Sequence, residues 1–145
     1  MARRVLVPVD GSEHARRALR YAVIEFDDAE VVALHVLDPF EGDAAGGSAG
    51  WNREALERRE AEAETVLAEC EKLAAERDRS IETELAHGAP ARAILGAVDD
   101  LEADHVVVGS RGRSGIGRVL LGSVAETVAR RSPVSVTIVR PDRRD

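Results

Sequence analysis

The sequence predicts a single doubly wound α/β domain over residues 1–145: a five-stranded parallel sheet with helices on both faces. Three observations predict it. Short apolar runs alternate with amphipathic helical patterns along the whole chain. The middle runs are continuously apolar, as strands buried on both faces must be. Right-handed crossovers then wind such strands into two helical layers, with ligands held beyond the strand C-termini where the winding reverses.

Val5 to Val9 reads as the first strand, and Ala15, Ala18, Leu19, Ala22 and Phe26 line one face of a helix over 13–26. Val31 to Leu37 is the second strand. Residues 38–51, beginning DPFEGDAAGGSAG, are rich in Gly and Ala and read as a mobile loop. A long helix over 52–78 carries a stripe of Leu56, Ala63, Val66, Leu67, Cys70, Leu73 and Ala74. Ser80 to Ala86 alternates apolar and polar residues, as a strand near an edge does. Pro90 stands where a first helical turn starts, and Ile94, Leu95, Val98 and Leu101 supply that helix's apolar face. Val106 to Val108 is the fourth strand, followed by a helix from Ser123 to Arg131 and a fifth strand over 134–139.

Composition narrows the function. One hundred and forty-five residues suffice for one buried core. A net charge of −7 argues against a general nucleic-acid binder, which needs a basic face. No run of eighteen apolar residues predicts a membrane span, and the N-terminal apolar stretch is too short for a signal peptide. A lone cysteine, Cys70, excludes an internal disulfide and falls on the long helix's apolar stripe, where it reads as core. The expected location is the cytoplasm.

The most informative run is VVVGSRGRSGIGRVLLGSVAETV, residues 106–128. A strand enters a loop with glycines at 109, 112, 115, 117 and 122, carrying Arg111, Arg113 and Arg118 and no acidic residue. Glycines let backbone N–H groups converge on one centre, and a helix start adds free N–H groups and roughly half a positive charge. The arrangement suits a polyphosphate. A P-loop is excluded: Arg118 and Val119 stand where Lys and a hydroxyl residue would be required. The first strand ends in VDGSEH, which lacks the glycines of a dinucleotide fingerprint.

Gly109-x2-Gly112-x9-Gly122-Ser123 resembles the G-2x-G-9x-G-[ST] nucleotide motif of the universal stress protein family. The opening VLVPVDGSEHARRAL, the LHVLD strand, the HGAPARAIL segment and the closing SPVSVTIVR resemble that family too. The resemblance spans residues 3–140 and implies the Rossmann-like fold of the adenine nucleotide alpha hydrolase type. It also implies ATP as ligand, with Mg²⁺ held mainly by the phosphates, a homodimer, and a role in stress resistance. By the same resemblance, Pro8, Val9 and Asp10 would lie beside adenine and ribose, and Val36 would face the adenine. Val108, Gly109 and Gly112 would bring the backbone to ribose and phosphates. Gly122, Ser123 and Val124 would hold the phosphates, while Arg111 occupies a variable motif position.

Each of these residues also has a ligand-free reading. Ser123 and Glu126 match a capping box, and Asp10 could cap the first helix or make a turn at Gly11. The loop arginines could be solvated charges, since nineteen of the twenty basic residues are Arg. His35 and His105 read as strand positions, His14 as exposed on the first helix, and His87 as a strand end. No His, Cys or carboxylate set has metal-ligand spacing, and no general base is evident. Any hydrolysis would therefore be slow and metal-assisted. The expected function is a nucleotide-dependent switch; the competing expectation is a dimeric interaction scaffold of the same fold that uses no nucleotide. The last strand, 134–139, is the expected dimer edge.

Overall fold

The structure is a computed structural model that describes residues 3–39, 52–111 and 121–141. The strands are β1 (Arg4–Pro8), β2 (Glu30–Leu37), β3 (Glu82–His87), β4 (His105–Gly109) and β5 (Ser135–Val139). The helices are α1 (Glu13–Glu25), α2 (Arg53–Ala75), α3 (Pro90–Asp100) and α4 (Ser123–Arg131). All strand pairs are parallel, in the order β3-β2-β1-β4-β5. The chain winds from β1 outward through β2 to β3, then crosses to β4 on the other side of β1. The winding therefore reverses between β1 and β4.

Strand alternation sends side chains to two cores. Val5, Val7, Val9, Val31, Ala33 and Val107 pack with α1 and α2. Leu6, Val32, Leu34, Val106 and Val108 pack with α3 and α4. Burying such a Val or Leu contributes about 1.5–3 kcal/mol each, so the two layers hold the sheet rigid beneath its C-terminal rim. The stripe expected on α2 is present: Ala63, Cys70 and Ala74 are buried, and Val66, Leu67 and Leu73 pack at the same core.

Element ends depart from the sequence reading where capping decides them. The long helix starts after Asn52, whose side chain accepts a hydrogen bond from the Ala55 N–H at 2.8 Å. It ends at Ala75 rather than residue 78, because Asp78 takes a left-handed φ of 59° and Arg79 N–H turns back to the Ala74 carbonyl. Gly109 belongs to the end of β4 and not to the loop. The expected loop over 38–51 lies outside the described residues from position 40 onward, as do Gly112, Arg113, Gly115, Gly117 and Arg118.

At the far end of the sheet Arg4 ties three strands together. Its guanidinium donates to Glu30 at 2.8 Å, to Glu82 at 3.1 Å and to the Leu101 carbonyl at 2.8 Å. The opposite rim, above Pro8 and Gly109, is where the described candidate residues lie.

Candidate functional site

The site is built on the turn after β1. Val9 N–H continues the ladder to the Leu34 carbonyl at 2.8 Å, and the buried His35 ring bonds the Val9 carbonyl at 2.8 Å. The chain then reverses at Gly11, whose φ of +86° suits glycine. Asp10 stabilises this reversal, its Oδ1 accepting from Ser12 N–H at 2.9 Å. Arg16 donates to the Gly11 carbonyl at 3.0 Å. Ser12 caps α1, accepting from Ala15 N–H at 3.1 Å. Of the two bland readings of Asp10, the turn is the one observed and the helix cap is not.

The second half of the site is the end of β4. Gly109 is buried directly beneath the first turn of α1. A Cβ placed on it would lie 2.7 Å from the His14 carbonyl oxygen and 2.9 Å from the carbonyl carbon. Close helix-to-strand packing is thus one reason for glycine here, independent of any ligand. Ser110 is also buried; its N–H bonds the Val139 carbonyl at 3.1 Å, and its carbonyl accepts from Gly122 N–H at 2.7 Å. That bond brings both ends of the glycine-rich segment together and fixes where α4 begins. The sequence reading missed Ser110, although its place between a strand end and the first loop residue was a signal.

Gly122, not Ser123, is the N-cap of α4, and no side chain caps that helix. The capping-box reading of Ser123 is therefore corrected. With Ser123 already inside the first turn, Glu126 sits one position too far along to reach back, and its carboxylate pairs with Arg130 instead. The first helical N–H with a helical partner is that of Glu126, bonded to the Gly122 carbonyl at 2.9 Å. The preceding N–H groups, at Ser123, Val124 and Ala125, are the ones an α-helix leaves for an outside acceptor. Ser123 is exposed.

The remaining candidates sort by face. Val108 and Val124 direct their side chains into the core below α3 and α4, so only their backbone groups are available to a ligand. Val36 lies at the rim of the same layer, half-buried, two residues past the level of Pro8. Arg111 is half-buried on the other side of the rim, within electrostatic reach of His14. Gly112 lies outside the described residues.

His14 overturns its sequence reading. It is half-buried, not exposed, and its Nδ1 is shielded with no hydrogen-bond partner. Desolvation lowers the imidazole pKa below its usual range, and Arg111 and Arg17 lower it further; Asp10 and Glu13 oppose. Cys70 sits in a small cleft between α1 and α2 with Val9, Gly11 and Arg16, and burial pushes its thiol up to about 11. That thiol stays protonated at neutral pH and inert as a nucleophile.

Comparison with known proteins agrees with the fold. The universal stress protein family model matches residues 1–140. The chain belongs to the universal stress protein family. A universal stress protein of Methanocaldococcus jannaschii is 36% identical over 148 residues, covering 99% of this chain and 85% of its own length. The solved universal stress protein UspA from Lactobacillus plantarum superposes with a TM-score of 0.78 at 27% identity, covering 95% of this chain and 97% of its own. A universal stress protein solved in complex with cAMP gives a TM-score of 0.72 at 30% identity, covering 97% and 98%. Among the described residues, no helix is long and apolar enough to cross a membrane.

Proposed function

We propose that this universal stress protein binds ATP at the rim between β1 and β4 and acts as a nucleotide-dependent switch in the stress response. One observation carries the reading. The helix after β1, α1, is capped by Ser12, whereas the helix after β4, α4, is capped by no side chain, as is α3 farther along the rim. The α4 N–H groups and their positive dipole end are therefore available to phosphoryl oxygens. The relative solved with cAMP binds an adenine nucleotide, which supports the same ligand class here. Pro8, Val9 and Asp10 would flank the base and ribose, with Val36 beside the adenine. Gly109, Arg111, Gly112, Gly122, Ser123 and Val124 would line the phosphate side. Mg²⁺ would be held mainly by the phosphates.

A specific observation favours the scaffold reading: Gly109 and Asp10 have structural work without ligand, in packing and in the turn. Nucleotide content decides between them. Protein purified without added nucleotide and then denatured is expected to release ATP, and calorimetry with Mg²⁺ is expected to give one site per chain. No nucleotide released and no binding of ATP, AMP or cAMP would leave the scaffold.

The proposed assembly is a homodimer through β5. The β3 edge carries Glu82 and Glu84, charges that guard an edge against pairing. The β5 edge reads Ser135-Val136-Thr137-Ile138-Val139, with no charge at all. Sedimentation at micromolar concentration is expected to give twice the chain mass; a monomer there removes the dimer.

A further inference from the structure

Resting on the nucleotide reading, we infer that His14 is an additional ligand-sensing residue of this site, neutral without ligand and protonated from solvent when the phosphoryl groups of a nucleotide arrive.

The geometry begins with the fixed position of the backbone. The His14 carbonyl lies against Gly109 so closely that no Cβ fits between them. His14 is thereby held at the junction of α1 with the end of β4, next to the start of the glycine-rich segment. Its ring Nδ1 is out of contact with water and without a partner, the one such side-chain atom among the described residues. A buried ring nitrogen left unpaired costs free energy in the ligand-free protein.

The charges around the ring set the direction of the response. Arg17 and Glu13 on α1, Asp10 in the turn after β1 and Arg111 after β4 act on it electrostatically. Burial and the two guanidinium groups together lower the imidazole pKa and so favour its neutral form. An incoming phosphate reverses this balance. It offsets Arg111 and Arg17 and supplies an acceptor for the imidazolium N–H. The bound-state pKa then lies above the free-state pKa. The resulting gain in affinity is full below the free-state pKa and is lost as pH rises through the bound-state one. A shift of one pKa unit corresponds to about tenfold in affinity. ATP would thus bind more tightly as the surroundings acidify.

The test is titration calorimetry of the full chain with ATP. Excess Mg²⁺ keeps the terminal phosphate ionised, so the nucleotide contributes no proton change of its own. In buffers of different ionisation enthalpy near pH 7, the wild-type protein is expected to take up several tenths of a proton per ATP. Its affinity is expected to rise about tenfold from pH 8 to pH 6. His14→Gln is expected to bind with no buffer dependence and a flat pH profile, while its unfolding stays within about 1 kcal/mol of wild type. ATP binding without proton uptake in the wild type, or with equal uptake in His14→Gln, overturns this role and leaves the nucleotide site standing. Absence of binding by the wild type at every pH overturns both.

Discussion

Gly109→Ala is expected to destabilise the fold by about 3 kcal/mol, the upper part of the range for overpacking a close contact. The added methyl would meet the His14 carbonyl oxygen at 2.7 Å and its carbon at 2.9 Å. Both atoms belong to the backbone of the first turn of α1, so no side-chain rotation relieves the clash. Either α1 lifts off β4 or the end of β4 is pushed down into Val107 and its neighbours. For a chain of this size the loss corresponds to a fall in Tm of roughly 10 °C. The control is Gly96→Ala on the exposed face of α3, where an added Cβ has nothing within 4 Å. That change is expected to stabilise by about 0.5–1 kcal/mol through helix propensity. Urea unfolding of the three proteins checks both signs. Gly109→Ala melting within a degree of wild type would show that α1 accommodates the methyl freely, and the packing account of this glycine would be wrong.

Arg79→Ala is expected to cost about 3 kcal/mol, near the upper value for hydrogen bonds to a charged group. Arg79 follows α2, yet its guanidinium reaches back to the C-terminal end of α1. It donates to the carbonyls of Val23 and Phe26, and to Ala29 at 2.8 Å. The Val23 carbonyl lies in the last turn of α1, where a helix leaves acceptors unpaired, while the Phe26 carbonyl also accepts from Ala29 N–H at 3.1 Å; the cation complements the negative end of the α1 dipole. Removing the side chain strands partly buried acceptors and uncouples the two helices of this layer. Arg79→Lys is expected to recover less than half, because one ammonium cannot span carbonyls that a planar fork reaches together. Arg77→Ala, at an exposed neighbouring position, is expected to stay within about 0.5 kcal/mol of wild type. A loss below about 1 kcal/mol for Arg79→Ala would mean that water satisfies the α1 carbonyls instead.

These two positions mark how far the sequence could be read. The five strands, the four helices and their order followed from periodicity, because an apolar run buried on both faces and an amphipathic stripe are local patterns. The place of the candidate site followed as well. A strand that runs into a basic, glycine-rich segment and then a helix start is contiguous in the chain. The ends of elements were less legible. Ser123 and Glu126 have capping-box spacing, but the Gly122 N–H bond to the Ser110 carbonyl sets the helix start one residue earlier than that box requires. Asp10 fitted both a cap and a turn, and the left-handed Gly11 chose the turn.

The sequence alone determined the family and the doubly wound sheet, since each depends on residues near one another in the chain. Only the tertiary structure decided that Gly109 must be glycine for the sake of α1, that Arg79 reaches the Val23 carbonyl of α1, 56 residues before it, and that the His14 Nδ1 is shielded from water. Those facts depend on which surfaces meet when β4 inserts beside β1. Contact across such a distance in sequence leaves no periodic trace, because its selectivity lies in shape and in unpaired backbone groups rather than in the alternation of apolar and polar residues.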